Sequence, residues 1–176
     1  IDGVPGTAAP IGLTFLNSAG SKTGKLLPTD SVTNEFDGIE VTCIDMAMPM
    51  VLIDASALGK TGGESPAELD ADKAFKERLE HLRRQAGAAM GLGDVSNKVI
   101  PKPVLLSKAR NGGTLQVRYF MPHTCHKSLA ITGSIGISTA TLIEGSVAAK
   151  IIADRPKERF TNIIDIEHPS GKISDR

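Results

Sequence analysis

A chain of 176 residues is ample for one packed domain and short for two. Its 20 Lys+Arg balance 20 Asp+Glu, and aromatics make up only 3%, with no Trp. There is therefore no global charge to draw nucleic acid or an acidic membrane surface, and there are few rings on which bases could stack.

The core must be built from Ala, Val, Ile, Leu and Met. The chain opens Pro/Gly-rich, and Ile11–Leu16 is a short apolar run expected as a strand. Asn17–Ser21 has turn composition. Gly20-Ser21-Lys22-Thr23-Gly24-Lys25 has the look of a phosphate loop, but its spacing is one residue short and Leu26 stands where Ser or Thr is required, so that reading is rejected. Ile39–Ile44, following Asp37-Gly38, alternates with β-branched residues and predicts a strand, and Val51–Ile53 predicts another. Between them Met46, Met48 and Met50 alternate along an extended segment as gap fillers.

Ser65-Pro66-Ala67-Glu68 has the form of a capped helix start. Phe75, Leu79, Leu82, Ala86 and Met90 recur at helical spacing, and Lys76, Glu77, Glu80, Arg83 and Arg84 are expected on the wet face, with a Glu80–Arg84 pair. Gly91 ends this surface helix. Val104–Leu106 and Thr114–Phe120 flank Asn111-Gly112, the strongest hairpin signal in the chain. Thr161–Glu167 predicts a strand, and His168-Pro169-Ser170-Gly171 a tight turn into a last strand.

Between that hairpin and the Thr161–Glu167 strand lies the most informative stretch, His123–Ile152. A polar cluster feeds a helix-length segment with no charge between Lys127 and Glu144. A helix apolar on every side is expected to be buried on every side. Its first turn, Thr132-Gly133-Ser134, is small and hydrogen-bonding, and presents backbone N–H groups and the positive end of a helix dipole. A carboxylate or phosphate suits that position, although close packing of small residues would produce the same pattern. The expected fold class is α+β: a curved, barrel-like mixed sheet wrapped around this central helix, plus the surface amphipathic helix, forming a single domain over residues 1–176.

His123, Cys125 and His126 crowd next to the helix start. No paired ligand spacing exists elsewhere, so no metal is expected, and His126 is the candidate substrate contact or proton carrier. Lys102, between Pro101 and Pro103, would be held in place on extended backbone and suits a carboxylate. The substrate-binding candidates are therefore Lys102, His126, Thr132, Gly133 and Ser134. Two cysteines make no disulfide framework, and a reducing, cytoplasmic setting is expected. No apolar run reaches the ~20 residues a membrane span needs.

Ile1-Asp2-Gly3-Val4-Pro5-Gly6-Thr7-Ala8-Ala9-Pro10-Ile11, Thr42-Cys43-Ile44-Asp45, the Thr132-Gly133-Ser134 helix start and His168-Pro169-Ser170-Gly171 together resemble the PrpF family of isomerases of unsaturated di- and tricarboxylates, related in fold to diaminopimelate epimerase. Within that family, Met90–Asn97 and Ile100–Leu106 are most similar to the branch that tautomerises 4-oxalomesaconate in bacterial gallate catabolism. The resemblance implies a cofactor-independent isomerase of two domains, with a di- or tricarboxylate held between opposed helix starts. This chain, beginning at Ile1 with no initiator Met, would be the second domain, partnered by a first domain that carries the main cysteine and lysine acid/base. The epimerase's second cysteine has no counterpart near Ala130-Ile131, and its Gly-Asn-Pro-His substrate turn is matched by Ala47-Met48-Pro49-Met50, which has lost the polar side chains. The resemblance thus implies a half-site that holds and polarises substrate. Methylaconitate or aconitate isomerisation, a non-catalytic tricarboxylate-binding domain and a homodimer all stay open.

Overall fold

The computed structural model describes residues 2, 5–7, 9, 12–152 and 163–176. Seven strands form one open mixed sheet in sequence order: β1 (Asn34–Phe36), β2 (Ile39–Met46), β3 (Met48–Asp54), β4 (Lys102–Lys108), β5 (Leu115–Tyr119), β6 (Ile164–His168) and β7 (Gly171–Asp175). The β3–β4 and β5–β6 pairs are parallel and the other four antiparallel. Each parallel pair needs a crossover, and the helices supply it. Helices α1 (Pro66–Ala71) and α2 (Lys73–Ala89) connect β3 to β4, while α3 (Ile131–Thr141) and α4 (Val147–Ile151) lie between β5 and β6.

Strand alternation sorts the core into two layers. Val41, Cys43, Val51, Ile53 and Leu105 face α2 and its Phe75, Leu79, Leu82 and Ala86. Ile44, Met50, Leu52, Val104, Leu106 and Tyr119 face α3 and α4. The sheet is covered on both faces, as parallel pairing requires. Helix α3 packs against β2, β3, β6 and β7.

The local signals mostly hold. The Ser65/Glu68 capping box forms, and Met90 and Gly91 (φ 75°) close α2. The hairpins at Gly112 and at His168–Gly171 are both present. The methionine segment is a tight hairpin, with Met46 opposite Met48 and Ala47 at φ 62° between them.

Four expectations are corrected. Residues 12–16 form no strand: Leu13 and Leu16 are exposed and no strand partners them, while Ile11 lies outside the described residues. The predicted α2 is two helices, because Asp72 leaves helical backbone and caps the second through the Phe75 N–H. Arg83 is not on the wet face. It is fully buried, and it rather than Arg84 pairs with Glu80, because its guanidinium closes the carbonyls of Val95, Lys98 and Ile100. Helix α3 is not enclosed on every side. Ile131 (47% exposed), half-buried Ile135 and Leu142 (62% exposed) lie along one open side. Of the strand expected at Thr161–Glu167, residues 161 and 162 lie outside the described residues, and β6 begins at Ile164.

Candidate functional site

Helix α3 begins without a side-chain cap. Ala130 occupies the cap position and offers only its carbonyl, which accepts the N–H groups of Gly133 (2.9 Å) and Ser134 (3.0 Å). Among the described residues, nothing accepts the N–H groups of Ile131 and Thr132. The first turn therefore does present two free donors and the helix dipole, but one position earlier than the sequence suggests.

The Ser134 hydroxyl is committed inward. It lies 2.9 Å from the Ile131 carbonyl and 3.0 Å from Asp175 Oδ1, and Ser138 donates to Asp175 Oδ2 at 2.7 Å. Two serines one turn apart thus grip one β7 carboxylate and fix α3 against the sheet edge. Ser134 orients the helix start, and Thr132 is the half-exposed member of the turn.

Gly133 and Gly136 set how closely α3 lies on the sheet. A Cβ on Gly133 would fall 2.6 Å from Tyr119 Cε2, and one on Gly136 would fall 2.1 Å from Met50 Cε. Tyr119 is on β5 and Met50 on β3, so α3 crosses β4 between them. Register puts Lys102 directly opposite Met50 and Val104 opposite Tyr119. Lys102 therefore emerges on the α3 side of the sheet, beside the crossing. It is 6% exposed, and its ammonium has no hydrogen bond or ion pair among the described residues. Burial, reinforced by the Arg83 charge, holds its pKa below the ordinary lysine value. A largely buried cation with no partner among the described residues suits an anion.

The His-Cys-His cluster is split by the fold. His126 is half-buried, its ring edge-on to Tyr119 with centroids 6.3 Å apart. Its Nδ1 accepts the Ser128 N–H at 2.9 Å, which places a proton on Nε2 in the neutral ring. His123 points to the other side, 3.6 Å from Glu80 of α2. Cys125 belongs to the α2-side core, where burial pushes its thiol up to about 12. His168, at the end of β6, sits near this group, with Ser128 Oγ and the Ser170 N–H 3.5 and 3.2 Å from its Nδ1. Among the described residues, no three His, Cys, Asp or Glu side chains converge as metal ligands.

Sequence reasoning missed Tyr119. It is 1% exposed, burial pushes its phenol up to about 12, and its hydroxyl has no hydrogen-bond partner among the described residues. A lone aromatic in a strand has no motif. The only available signal was its alternation with Leu115 and Val117 on the helix-facing side of β5.

A surface cavity of about 380 Å³ lies elsewhere, lined by Asp54, Lys60, Ser107 and Lys150 where β3 and β4 end. Its Lys60 and Lys150 are already paired with Asp72 and Glu40, at 2.6 Å each. The unpaired groups are at the other end, where β3 and β4 begin.

No helix of the described residues is long and apolar enough to cross a membrane. The chain is 63% identical to the Escherichia coli protein YbhH over 173 residues, which are 98% of this chain and 48% of that protein. It is 48% identical to 4-oxalomesaconate tautomerase of Pseudomonas putida over 174 residues, 99% of this chain and 48% of that enzyme. The crystal structure of a methylitaconate-delta-isomerase superposes with a TM-score of 0.91 at 25% identity, covering 99% of this chain and 50% of that one. The chain thus spans about half the length of the curated relatives it matches. A family model described as PrpF protein matches residues 1–175, and the chain belongs to the PrpF family.

Proposed function

We propose that this chain is the carboxylate-holding half of a cofactor-independent isomerase that moves an allylic proton in an unsaturated oxo-tricarboxylate. The substrate read here is 4-oxalomesaconate, in gallate degradation in the cytoplasm. The observation that carries the reading is Lys102, largely buried and without a partner among the described residues, on the face of the sheet that carries an uncapped helix start with two free N–H groups. Both elements suit a carboxylate, and neither has an internal anion. The 48% identity to a 4-oxalomesaconate tautomerase favours that substrate.

In this reaction a base removes a proton next to a carbonyl, the double bond shifts, and an acid returns a proton at the conjugated position. Negative charge develops on the enolate oxygen between the two steps. Lys102 and the free N–H groups of the α3 first turn, those of Ile131 and Thr132, oppose that charge, and the Nε2–H of His126 adds a neutral donor. The principal acid and base belong to a first domain of the same polypeptide, with this chain as the second. That α3 contacts both β2–β3 and β6–β7, near opposite edges of the sheet, supports reading the sheet as a curved layer around that helix, as in diaminopimelate epimerase-like folds.

The test follows the ultraviolet absorbance of the oxalomesaconate enol with the full-length polypeptide. Lys102→Gln should lower kcat/KM by about 10²-fold, the scale of losing one preorganised electrostatic contact. An unchanged rate would remove this site from the mechanism. The second reading, isomerisation of a methylated substrate such as methylaconitate, is favoured by the 0.91 superposition on methylitaconate-delta-isomerase. A panel of both substrate classes separates the two.

A further inference from the structure

We propose that the phenol hydroxyl of Tyr119 is a substrate-binding donor that shares a carboxylate with Lys102 beneath the first turn of α3. This rests on the reading of the site as carboxylate-binding and adds to it a residue and a pairing.

Two unpartnered polar side chains more than nine-tenths buried lie on one face of the sheet. Tyr119 is 1% exposed and Lys102 6% exposed, and neither terminal polar atom has a hydrogen-bond partner among the described residues. They are diagonal neighbours across β4 and β5, because Tyr119 is opposite Val104 and Lys102 is two residues before Val104. Diagonal side chains on one face are within reach of a common small ligand. With the free N–H groups of Ile131 and Thr132, in the helix start that meets the Tyr119 ring at Gly133, the two side chains form a set of donors without an acceptor among the described residues.

The packing around the ring fits this role. Gly133 lies so close that a Cβ there would meet Cε2 at 2.6 Å and Cζ at 3.1 Å. His126 meets the ring edge-on. The ring is thus packed against both the helix start and His126, and its hydroxyl is held without a rotamer search. Burial keeps the phenol protonated through the physiological range, so it donates a hydrogen bond and carries no competing negative charge. Tyr119 and Lys102 together supply one neutral and one cationic donor, a combination that suits a carboxylate better than a second positive charge would.

The experiment uses the full-length polypeptide and Tyr119→Phe, which removes only the hydroxyl and leaves the ring under Gly133. Tricarballylate, a saturated tricarboxylate, is the binding probe in calorimetry, and 4-oxalomesaconate is the turnover substrate. The expected result is tricarballylate binding weaker by about 10–100-fold, with a matching fall in kcat/KM and an unchanged unfolding temperature. In a Lys102→Gln background the same substitution should weaken binding by less than about threefold, because the shared carboxylate has already lost its place. Wild-type affinity in Tyr119→Phe would overturn the proposal. So would equal losses in the two backgrounds, the result a general packing defect would give even if the variant were less stable. If the wild type binds tricarballylate yet isomerises no unsaturated tricarboxylate, the functional reading fails and the binding data alone decide Tyr119. If the wild type binds no tricarboxylate, the carboxylate site falls, and the Tyr119 pairing with it.

Discussion

Glu167 Oε1 accepts the Gly113 N–H at 2.7 Å, tying the β4–β5 loop to β6. The same carboxylate takes the N–H groups of Arg110 at 2.8 Å and Asn111 at 2.6 Å. Glu167 is almost wholly buried, so the loop closes around an internal anion. Burial pushes its pKa up, but the three amide donors and the Lys172 charge outweigh that and hold it below the ordinary glutamate value. The unfolded chain then binds the proton more readily than the folded one. The stabilisation is fully present above the unfolded pKa of about 4.3 and is lost as pH falls through the lower folded value. Glu167→Gln should cost about 2–3 kcal/mol at pH 7, since an amide NH2 would face N–H donors. Urea titrations at pH 7 and pH 3 should show that difference narrowing in acid.

Arg83 reaches Val95 O at 2.7 Å, Lys98 O and Ile100 O at 3.1 Å, and Glu80 through Nε at 2.6 Å and Nη2 at 2.8 Å. It ties the segment Val95–Ile100, which leads into Lys102 and β4, to α2. Arg83→Met should destabilise by about 3–5 kcal/mol, because it leaves Glu80 and three carbonyls without their partner. Arg83→Lys should rescue little, since one ammonium cannot span that fork. Denaturant unfolding reads the first effect. Tricarballylate affinity should fall in parallel, through the displaced Lys102.

What was legible in the sequence was local. The Ser65/Glu68 box, the Asn111-Gly112 turn and the 3.6-residue stripe from Phe75 to Met90 each specify backbone through neighbours, and the structure keeps all three. The site was half legible. The Thr132–Ser134 segment does open a helix and Lys102 is held largely buried on the face that carries it, but Ser134 spends its hydroxyl on Asp175, a partner 41 residues away. Arg83 misled because helical periodicity assigns charge to water, whereas long-range carbonyls required a buried guanidinium. The run ending at Leu16 misled because β-propensity needs an edge to pair with, and no strand partners residues 12–16. Tyr119 was invisible because its significance lies in the register between β4 and β5 and in the position of Gly133.

Asp45 explains the phosphate-loop look of Gly20–Lys25. Its buried carboxylate receives the N–H groups of Lys22 (2.7 Å) and Thr23 (2.8 Å) and the hydroxyls of Ser21 and Thr23 (2.9 Å each). The loop is an anion nest whose anion is a side chain of β2. Asp45→Asn should cost about 2–3 kcal/mol by turning one acceptor into a donor facing donors. Hydrogen exchange should locate the damage, with the Lys22 and Thr23 amides exchanging faster while those of β3 and β4 keep their protection.

The two buried glycines of α3 should respond differently to alanine. Alanine in a helix interior gains roughly 1 kcal/mol over glycine in both cases. At Gly136 the obstacle is chiefly Met50 Cε, the far end of a flexible thioether that can swing aside, with the Met46 carbonyl next at 3.2 Å. At Gly133 it is the Tyr119 ring, a rigid group also in contact with His126, which cannot swing aside as a thioether can. Gly136→Ala should therefore stay within about 1 kcal/mol of the parent, whereas Gly133→Ala should lose about 1–3 kcal/mol net. Paired denaturation curves give that comparison directly. Replacing Tyr119 with Leu in the Gly133→Ala background should recover part of the loss, because the added methyl then has room. If the Gly133 penalty persists without the ring, the close approach of α3 to β5 is set by something other than Tyr119.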